Sequence, residues 1–427
     1  MTSLVFYFQV HQPYRLTHRR TILPEHAERV GLEELEARPL FDDEENERIM
    51  RRVADKCYLP MNAVLLDAIR AHNGAFRCSF SISGTALQQL EDWAPDALDS
   101  FVELAKTGHV EFLAETSMHS LAFLEDPAEW ESQVRSHSRR IQEVFGTRPT
   151  TFRNTELIVT ADVARRLDTM GFNMLMAEGA EALMGWRSPH HLWRPDGCNQ
   201  LKLFARDYPF SDDIAFRFSN REWEAYPLLA DTFVEWLHGV KDSAEAIGLF
   251  MDYETFGEHQ WEDTGIFEFM RHLPDYVLGS DRFDFATPSQ IAARCEVAGE
   301  ISIPRPVSWA DAERDLTAWL GNPMQREAQA RLYALLPRAR ALAGSRPEAL
   351  QNWRRLSTSD HVYYMCTKFM SDGDVHAYFS PYGGPHDAFV EFMDALKRFE
   401  ASLSQPATKA AKVPPQKSPK KAPPAGK

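Results

Sequence analysis

Cysteine is scarce in this chain. Among 427 residues there are five, Cys57, Cys78, Cys198, Cys295 and Cys366, scattered and without a Cys-x-x-Cys pair. That pattern argues against a disulfide framework or a structural zinc, and for a reducing compartment. Long apolar runs are missing too: none approaches the roughly 20 residues that span a bilayer. The first residues, Met1 to Val10, have no basic n-region and an apolar run too short for a signal peptide. A cytoplasmic protein with no membrane partner is therefore expected. Positive charge is also short. The net charge is −15, and the last two dozen residues carry six lysines and no acids, which leaves −21 on the rest. Such a surface repels phosphate backbones, so nucleic acid is not an expected partner. No Gly-x-Gly-x-x-Gly follows the first strand, and neither a Gly-x-x-x-x-Gly-Lys-[Ser/Thr] loop nor a Gly-x-Ser-x-Gly elbow occurs.

What the chain does have is a repeated strand-and-helix pattern. The stretch Ile247 to Met251 is apolar throughout, like a buried strand, and stops at Asp252. Tyr253, Glu254, Gly257, Glu258, His259 and Trp261 follow at once. If strand geometry persists, a period of two sets Asp252 and Glu254 on one face. Six more strands are expected over Leu4–Val10, Phe76–Ile82, 108–116, Thr150–Val159, Asn173–Glu178 and Leu201–Arg206, with a further short one at Phe283–Ala286. Helical patterns fill the gaps, near 51–72, 85–106 and 127–144. Strands 25–45 residues apart with helices between them mean parallel βα units, and seven or so suggest an α/β barrel or partial barrel. Polar residues recur where the strands end: His11, Glu111 and Glu115, Glu156, Arg206 and Asp207, Asp252 and Glu254. On such a barrel these ends converge on one face.

Three parts are expected: a barrel over 1–295, a helical region over 296–402, and a Pro/Ala/Lys-rich tail over 403–427 that cannot build a core and should be disordered. In the helical region, Trp309 and Trp319 flank an expected helix bearing Asp311 and Asp315. Taken alone, both tryptophans read as core residues.

For a metal, His11, His109, His119 and His259 are the candidates, but no His-x-x-x-His pair exists, and His259 with Asp263 falls in an expected loop. No metal site is expected. Two carboxylates from different strands fit glycoside hydrolysis better, one as nucleophile and one as acid/base. Trp186, Trp193, Tyr208, Trp223 and Trp261 are candidate platforms for sugar rings.

At this point five ordered motifs resemble glycoside hydrolase family 57, its α-amylase-like branch. They are His11-Gln12-Pro13, Gly108-His109-Val110-Glu111-Phe112, Phe152-Arg153-Asn154-Thr155-Glu156-Leu157, Met251-Asp252 through His259, and Trp309 to Asn322 with Asp315 and Trp319. The resemblance implies an incomplete (β/α)7 barrel followed by a C-terminal helical region, and no cofactor. It also implies a retaining reaction on α-1,4-glucans or malto-oligosaccharides, with Glu156 as nucleophile and Asp252 as acid/base. His11, Gln12, Glu111, Arg153, Glu254, His259, Trp261, Asp315 and Trp319 would contact the substrate. The same intermediate serves a 4-α-glucanotransferase or branching enzyme, which is the alternative within the family. A metal-dependent polysaccharide deacetylase and a non-catalytic glucan-binding protein are the rivals outside this chemistry.

Overall fold

The computed structural model describes residues 1–18, 38–368 and 380–404. The expected disordered tail lies outside these, apart from its first two residues, as does part of the polar excursion between 14 and 50. Ten strands form one connected sheet: β1 Thr2–Val10, β2 Cys78–Ile82, β3 Val110–Phe112, β4 Thr151–Arg153, β5 Met174–Glu178, β6 Leu192–Pro195, β7 Lys202–Arg206, β8 Ala246–Asp252, β9 Phe283–Phe285 and β10 Val297–Ile301. Seven of them run parallel around a barrel. β1 sits between β8 and β2, β2 pairs β3, β4 pairs β5, and β5 pairs β7. Two seams are thin. Ala114 alone bridges to Phe152 between β3 and β4, and β7 meets β8 only at Arg206 and Gly248. These seven are the strands expected from the sequence. Short β6, antiparallel to β7, and β10 beside β6 were not; β10 carries the sheet to residue 301.

Alternation along each strand sorts the side chains. Leu4, Phe6, Phe8 and Val10 of β1 point outward into a core shared with Phe80 of β2, with Ile247, Leu249 and Met251 of β8, and with the surrounding helices. Phe152, Leu175, Ala177, Leu203 and Ala205 face outward into a second core, which includes Trp319, Leu336, Trp353 and Phe399 of the C-terminal region. The opposite set, Val5, Tyr7, Leu113, Met174, Met176, Phe204 and Phe250, fills the barrel. Continuing the inward set toward the carboxyl ends gives Gln9, Glu115, Arg153, Glu178, Arg206 and Asp252, every one polar. The barrel is thus plugged with apolar side chains and capped by a charged layer, as a βα barrel with its chemistry at the strand ends requires.

Three helical expectations change. The helix expected over 85–106 is two, Gly84–Trp93 and Pro95–Lys106, because Pro95 can only begin a helix there. The one near 51–72 starts earlier, at Asp43 behind an Asp42 cap, and passes through a π-turn at Ala54–Tyr58 before Leu59–Ala71. Over 309–320 only Thr317–Leu320 is helical, and Asp311 and Arg314 hold left-handed conformations (φ 60° and 48°) that no helix of L-residues accommodates. Helices Pro323–Leu342, Pro347–Leu356 and Pro385–Leu403 pack beside the barrel. The contact is partly ionic, with Arg354 on Glu129 at 2.6 Å and Arg340 on Asp126 at 3.2 Å. Among the described residues no helix is long and apolar enough to cross a membrane.

Candidate active site

Glu156 follows β4 in a short turn, Thr155–Leu157, with φ 57° and ψ 31°. A left-handed glutamate costs on the order of 1–3 kcal/mol, and such positions persist only where their surroundings fix them. Here the surroundings do. The Trp309 amide donates to the Glu156 carbonyl at 3.3 Å, and the Thr155 hydroxyl to the Ser120 carbonyl at 2.8 Å. The carboxylate is held at both oxygens: His119 Nε2 donates to Oε1 at 3.1 Å and Trp309 Nε1 to Oε2 at 2.8 Å.

His119 belongs to the segment after β3 and is itself left-handed, with φ 50°. Its Nδ1 donates to the fully buried Glu115 at 3.1 Å. Burial disfavours an imidazolium, but the bonds to Glu115 and Glu156 outweigh it and raise the His119 pKa to about 9. Glu156 is the mirror image. Burial pushes its carboxyl up, while the hydrogen bond and charge of His119, with Arg153, win and hold it below the usual carboxylate range.

Asp252 ends β8, and nothing comparable rescues it. Burial, and then the negative charge of Glu156, raise its pKa to about 6, against smaller opposing effects of Arg153, His119 and Arg206. Two carboxyl groups in one charged layer therefore differ: one is kept ionised and the other tends to keep its proton. Such a divergence between neighbouring carboxyl groups is the electrostatic condition for acid–base chemistry.

Around this pair, Arg153 is fully buried, with its guanidinium 4.9 Å from the Trp309 ring centroid and its Nη1 3.9 Å from Glu115. Arg206 donates to the Phe250 carbonyl at 2.8 Å and to Glu178 at 3.2 Å, and lies 5.9 Å from the same indole. His11 stacks on His119 with ring centroids 3.9 Å apart. Its Nε2 donates to Asp360 at 2.9 Å, and Ser83 bonds its Nδ1 at 2.7 Å. Burial, with the neighbouring His119 cation, lowers the His11 pKa, so one ring of the stack is neutral.

The other expected contacts divide. Gln12 and Glu254 lie behind the strand end: Gln12 donates to Glu254 at 3.4 Å and Tyr58 donates to the same oxygen at 2.5 Å. Burial and the charge of Asp252 push Glu254 up to about 8. Asp252 and Glu254 do not share a strand face, because the strand ends at Asp252 and a tight turn, Tyr253–Thr255, follows. The His259 amide donates to the Glu254 carbonyl at 2.9 Å, and burial lowers its imidazole to about 4. Trp261 stands 61% exposed on the same loop.

Three residues are elsewhere. Glu111 accepts from Thr151 at 2.6 Å and from the Ser289 amide at 2.8 Å, inside the opposite, amino-terminal end of the barrel. Glu115, four residues on, takes the place expected of it, because four residues of extended chain advance about 13 Å. Asp315 caps its own turn through Thr317. Trp319 is buried against Tyr363 in the core, whereas Trp309 reaches Glu156. Among the described residues no group of three or more His, Cys, Asp or Glu has the arrangement of a metal site.

The model of glycosyl hydrolase family 57 matches residues 5–304. The chain belongs to glycosyl hydrolase family 57. A Methanocaldococcus jannaschii protein named "Putative alpha-amylase" is 37% identical over 417 residues, covering 94% of this chain and 85% of that one. Among solved structures, a family 57 branching enzyme from Thermococcus kodakaraensis superposes with a TM-score of 0.67 at 12% identity, over 94% of this chain and 90% of the other. The α-amylase AmyC of Thermotoga maritima gives 0.60 at 13% identity and 94% of each chain. The 4-α-glucanotransferase of Thermococcus litoralis gives 0.64 at 13%, over 92% of this chain and 59% of its own length. These likenesses establish the incomplete (β/α)7 barrel with its helical C-terminal region. Membership in family 57 with an amylase-named relative makes the chain a glycoside hydrolase.

Proposed function

We propose that this family 57 enzyme is a retaining hydrolase of α-1,4-glucans or malto-oligosaccharides, with Glu156 as nucleophile and Asp252 as acid/base. The observation that carries the reading is the opposite drift of the two carboxyl groups, Glu156 downward and Asp252 to about 6. Glu156 attacks the anomeric carbon while Asp252 gives its proton to the departing glycosidic oxygen. A glycosyl ester forms, and Asp252, now a carboxylate, takes a proton from the water that attacks it. Glu156 leaves in that second step. The N–H groups of His119 and Trp309, already aimed at its two oxygens, stabilise the charge as it returns. Arg153 tempers the negative charge of the layer, His11 orients His119 through the ring stack, and Trp261 offers an exposed face to a sugar ring. Glu111, Asp315 and Trp319 have no part in this assignment.

The test is product analysis on maltoheptaose and soluble starch, for wild type and Glu156→Ala, with and without a chelator. Shortened products in the wild type that survive chelation and vanish in the variant are expected. Longer products beside shorter ones would instead make this a glucanotransferase or branching enzyme. Chelator-sensitive activity, or none in the wild type, would overturn the assignment.

A further inference from the structure

One aromatic group on this molecule has no part in that mechanism. Trp186 is 83% exposed, the most exposed aromatic side chain among the described residues, yet its ring is fixed in place. It stands edge-on against Trp193, which is 4% exposed, with ring centroids 6.1 Å apart at 87°. The Arg187 guanidinium lies 5.1 Å from its centroid and 5.4 Å from that of Trp193, and is itself tied to the Glu300 carbonyl at 3.1 Å. The Trp193 indole N–H donates to the Ser188 carbonyl at 3.0 Å. An indole supported on one side by a buried ring and an anchored cation presents its other side to water.

Beside it opens a cavity of about 270 Å³, edged by Ser188, His190, His191, Lys241 and Ser243. This is just below the roughly 300–1,000 Å³ of small-molecule pockets, and suits one ring better than an extended ligand. The imidazoles there are oriented: His190 contacts Asp207 at 2.7 Å and His191 contacts Glu245 at 3.1 Å. With both imidazoles paired to carboxylates, the rim offers the Ser188 and Ser243 hydroxyls, imidazole N–H groups and the Lys241 ammonium, all of which can bond the hydroxyls of a polyhydroxyl ligand. The cavity lies beside the barrel, between the starting end of β8, where the Ala244 carbonyl binds Thr2, and Asp207 just after β7, and none of its lining residues belongs to the layer around Glu156 and Asp252.

We propose that Trp186, with this cavity, is a second carbohydrate site, distinct from the layer around Glu156 and Asp252, that holds an α-glucan chain on the side of the barrel. A fixed indole face next to a ring of oriented hydrogen-bonding groups is the arrangement that recognises a pyranose: its C–H face stacks and its hydroxyls bond at the edge. The identity of the polymer rests on the function proposed above. A site of this kind raises the local concentration of a long substrate and does nothing for one that cannot reach both places.

The test uses the full chain in native electrophoresis through gels containing glycogen, together with kinetics on soluble starch and maltoheptaose. Trp186→Ala is expected to lose most of the retardation by glycogen and to raise KM on soluble starch several-fold. Its kcat/KM on maltoheptaose and its melting temperature should match wild type, and Trp186→Phe should keep most of the retardation. Unchanged retardation in Trp186→Ala, or a wild type that glycogen does not retard, overturns the second site while leaving the catalytic assignment intact. Trp186-dependent retardation in a protein that cleaves no α-glucan would support the surface site and remove the hydrolase reading instead.

Discussion

His119 is the residue on which the catalytic reading can be tested most sharply. Its imidazolium donates to Glu115 and Glu156, each at 3.1 Å. In the proposed mechanism only the second bond changes, as Glu156 loses its charge on forming the ester and regains it on leaving. A hydrogen bond to a charged group contributes roughly 1.5–3 kcal/mol. At about 1.4 kcal/mol per decade, His119→Ala should lower kcat by roughly 10- to 150-fold. His119→Gln, which can offer Glu156 an uncharged donor, should recover part of that loss. The pH profile is the discriminating readout. Removing the cation takes away what holds Glu156 below its usual pKa, and the same cation also lowers Asp252. The proposed roles need Glu156 ionised and Asp252 protonated, so both limbs of kcat against pH should move to higher pH in either variant. The limbs belong to the coupled pair, not to one residue each. A purely structural role predicts a lower melting temperature and a smaller active fraction with limbs unmoved. A loss under threefold in His119→Ala with an unchanged profile would refute the argument.

Two further predictions follow from the same layer. Trp309→Phe keeps an aromatic ring beside Arg153 but removes the donor to Glu156 Oε2; kcat on maltoheptaose should fall about tenfold with KM nearly unchanged, since the bond is to a charged group, and a kcat within threefold of wild type would show that this bond does not act on the nucleophile. Glu254 tests the electrostatics behind the site. Its folded pKa, about 8, lies above its unfolded value, so its contribution to stability is fully present below the unfolded pKa and is lost as pH rises through the folded one. Glu254→Gln keeps the shape of the protonated acid and cannot ionise. Its melting temperature relative to wild type should therefore rise as pH goes from about 5 to 9, and a difference that stays flat across that range would mean that Glu254 is not held protonated.

Much of the barrel could be read from the chain because buried parallel strands are written as short apolar runs with polar residues at their ends. Leu4–Val10, Ile247–Met251 and the strands between them carry that signature, and alternation already implies which face meets the helices. The misplacements have one physical source: position along the barrel axis and tertiary partners are not written locally. Glu111 and Glu115 share a face, and nothing within Gly108–Thr116 says which is at the catalytic end. Asp252 and Glu254 would share a face too, had the strand not yielded to a turn. His119 sits in an irregular segment with no periodicity to mark it, and the distant pairing of Ser120 with Thr358 helps fix that segment. Trp309 and Trp319 look equivalent as the ends of a helix; without the helix, the first is free to reach the barrel while the second enters the core.

The same contrast explains why the catalytic layer needs the region beyond the barrel. The seven strands supply Glu115, Arg153, Glu178, Arg206 and Asp252, but without the later region Glu156 would have a single side-chain donor, His119 from the segment after β3, and His11 would lack its carboxylate. Trp309 comes from the segment after β10, bridged to the Glu156 turn by the pairing of Val159 with Val307. Asp360 comes from the helices, and the neighbouring Ser359 amide donates to the His119 carbonyl at 2.9 Å. Both additions act on the Glu156 side, Trp309 directly and Asp360 through His11 stacked on His119, whereas Asp252 relies on burial and on its neighbour's charge. A nucleophile needs stabilisation of its charge, and an acid needs to be denied it. In the proposed roles, the chain meets the first need with groups gathered from distant segments and the second by ending a buried strand in an aspartate.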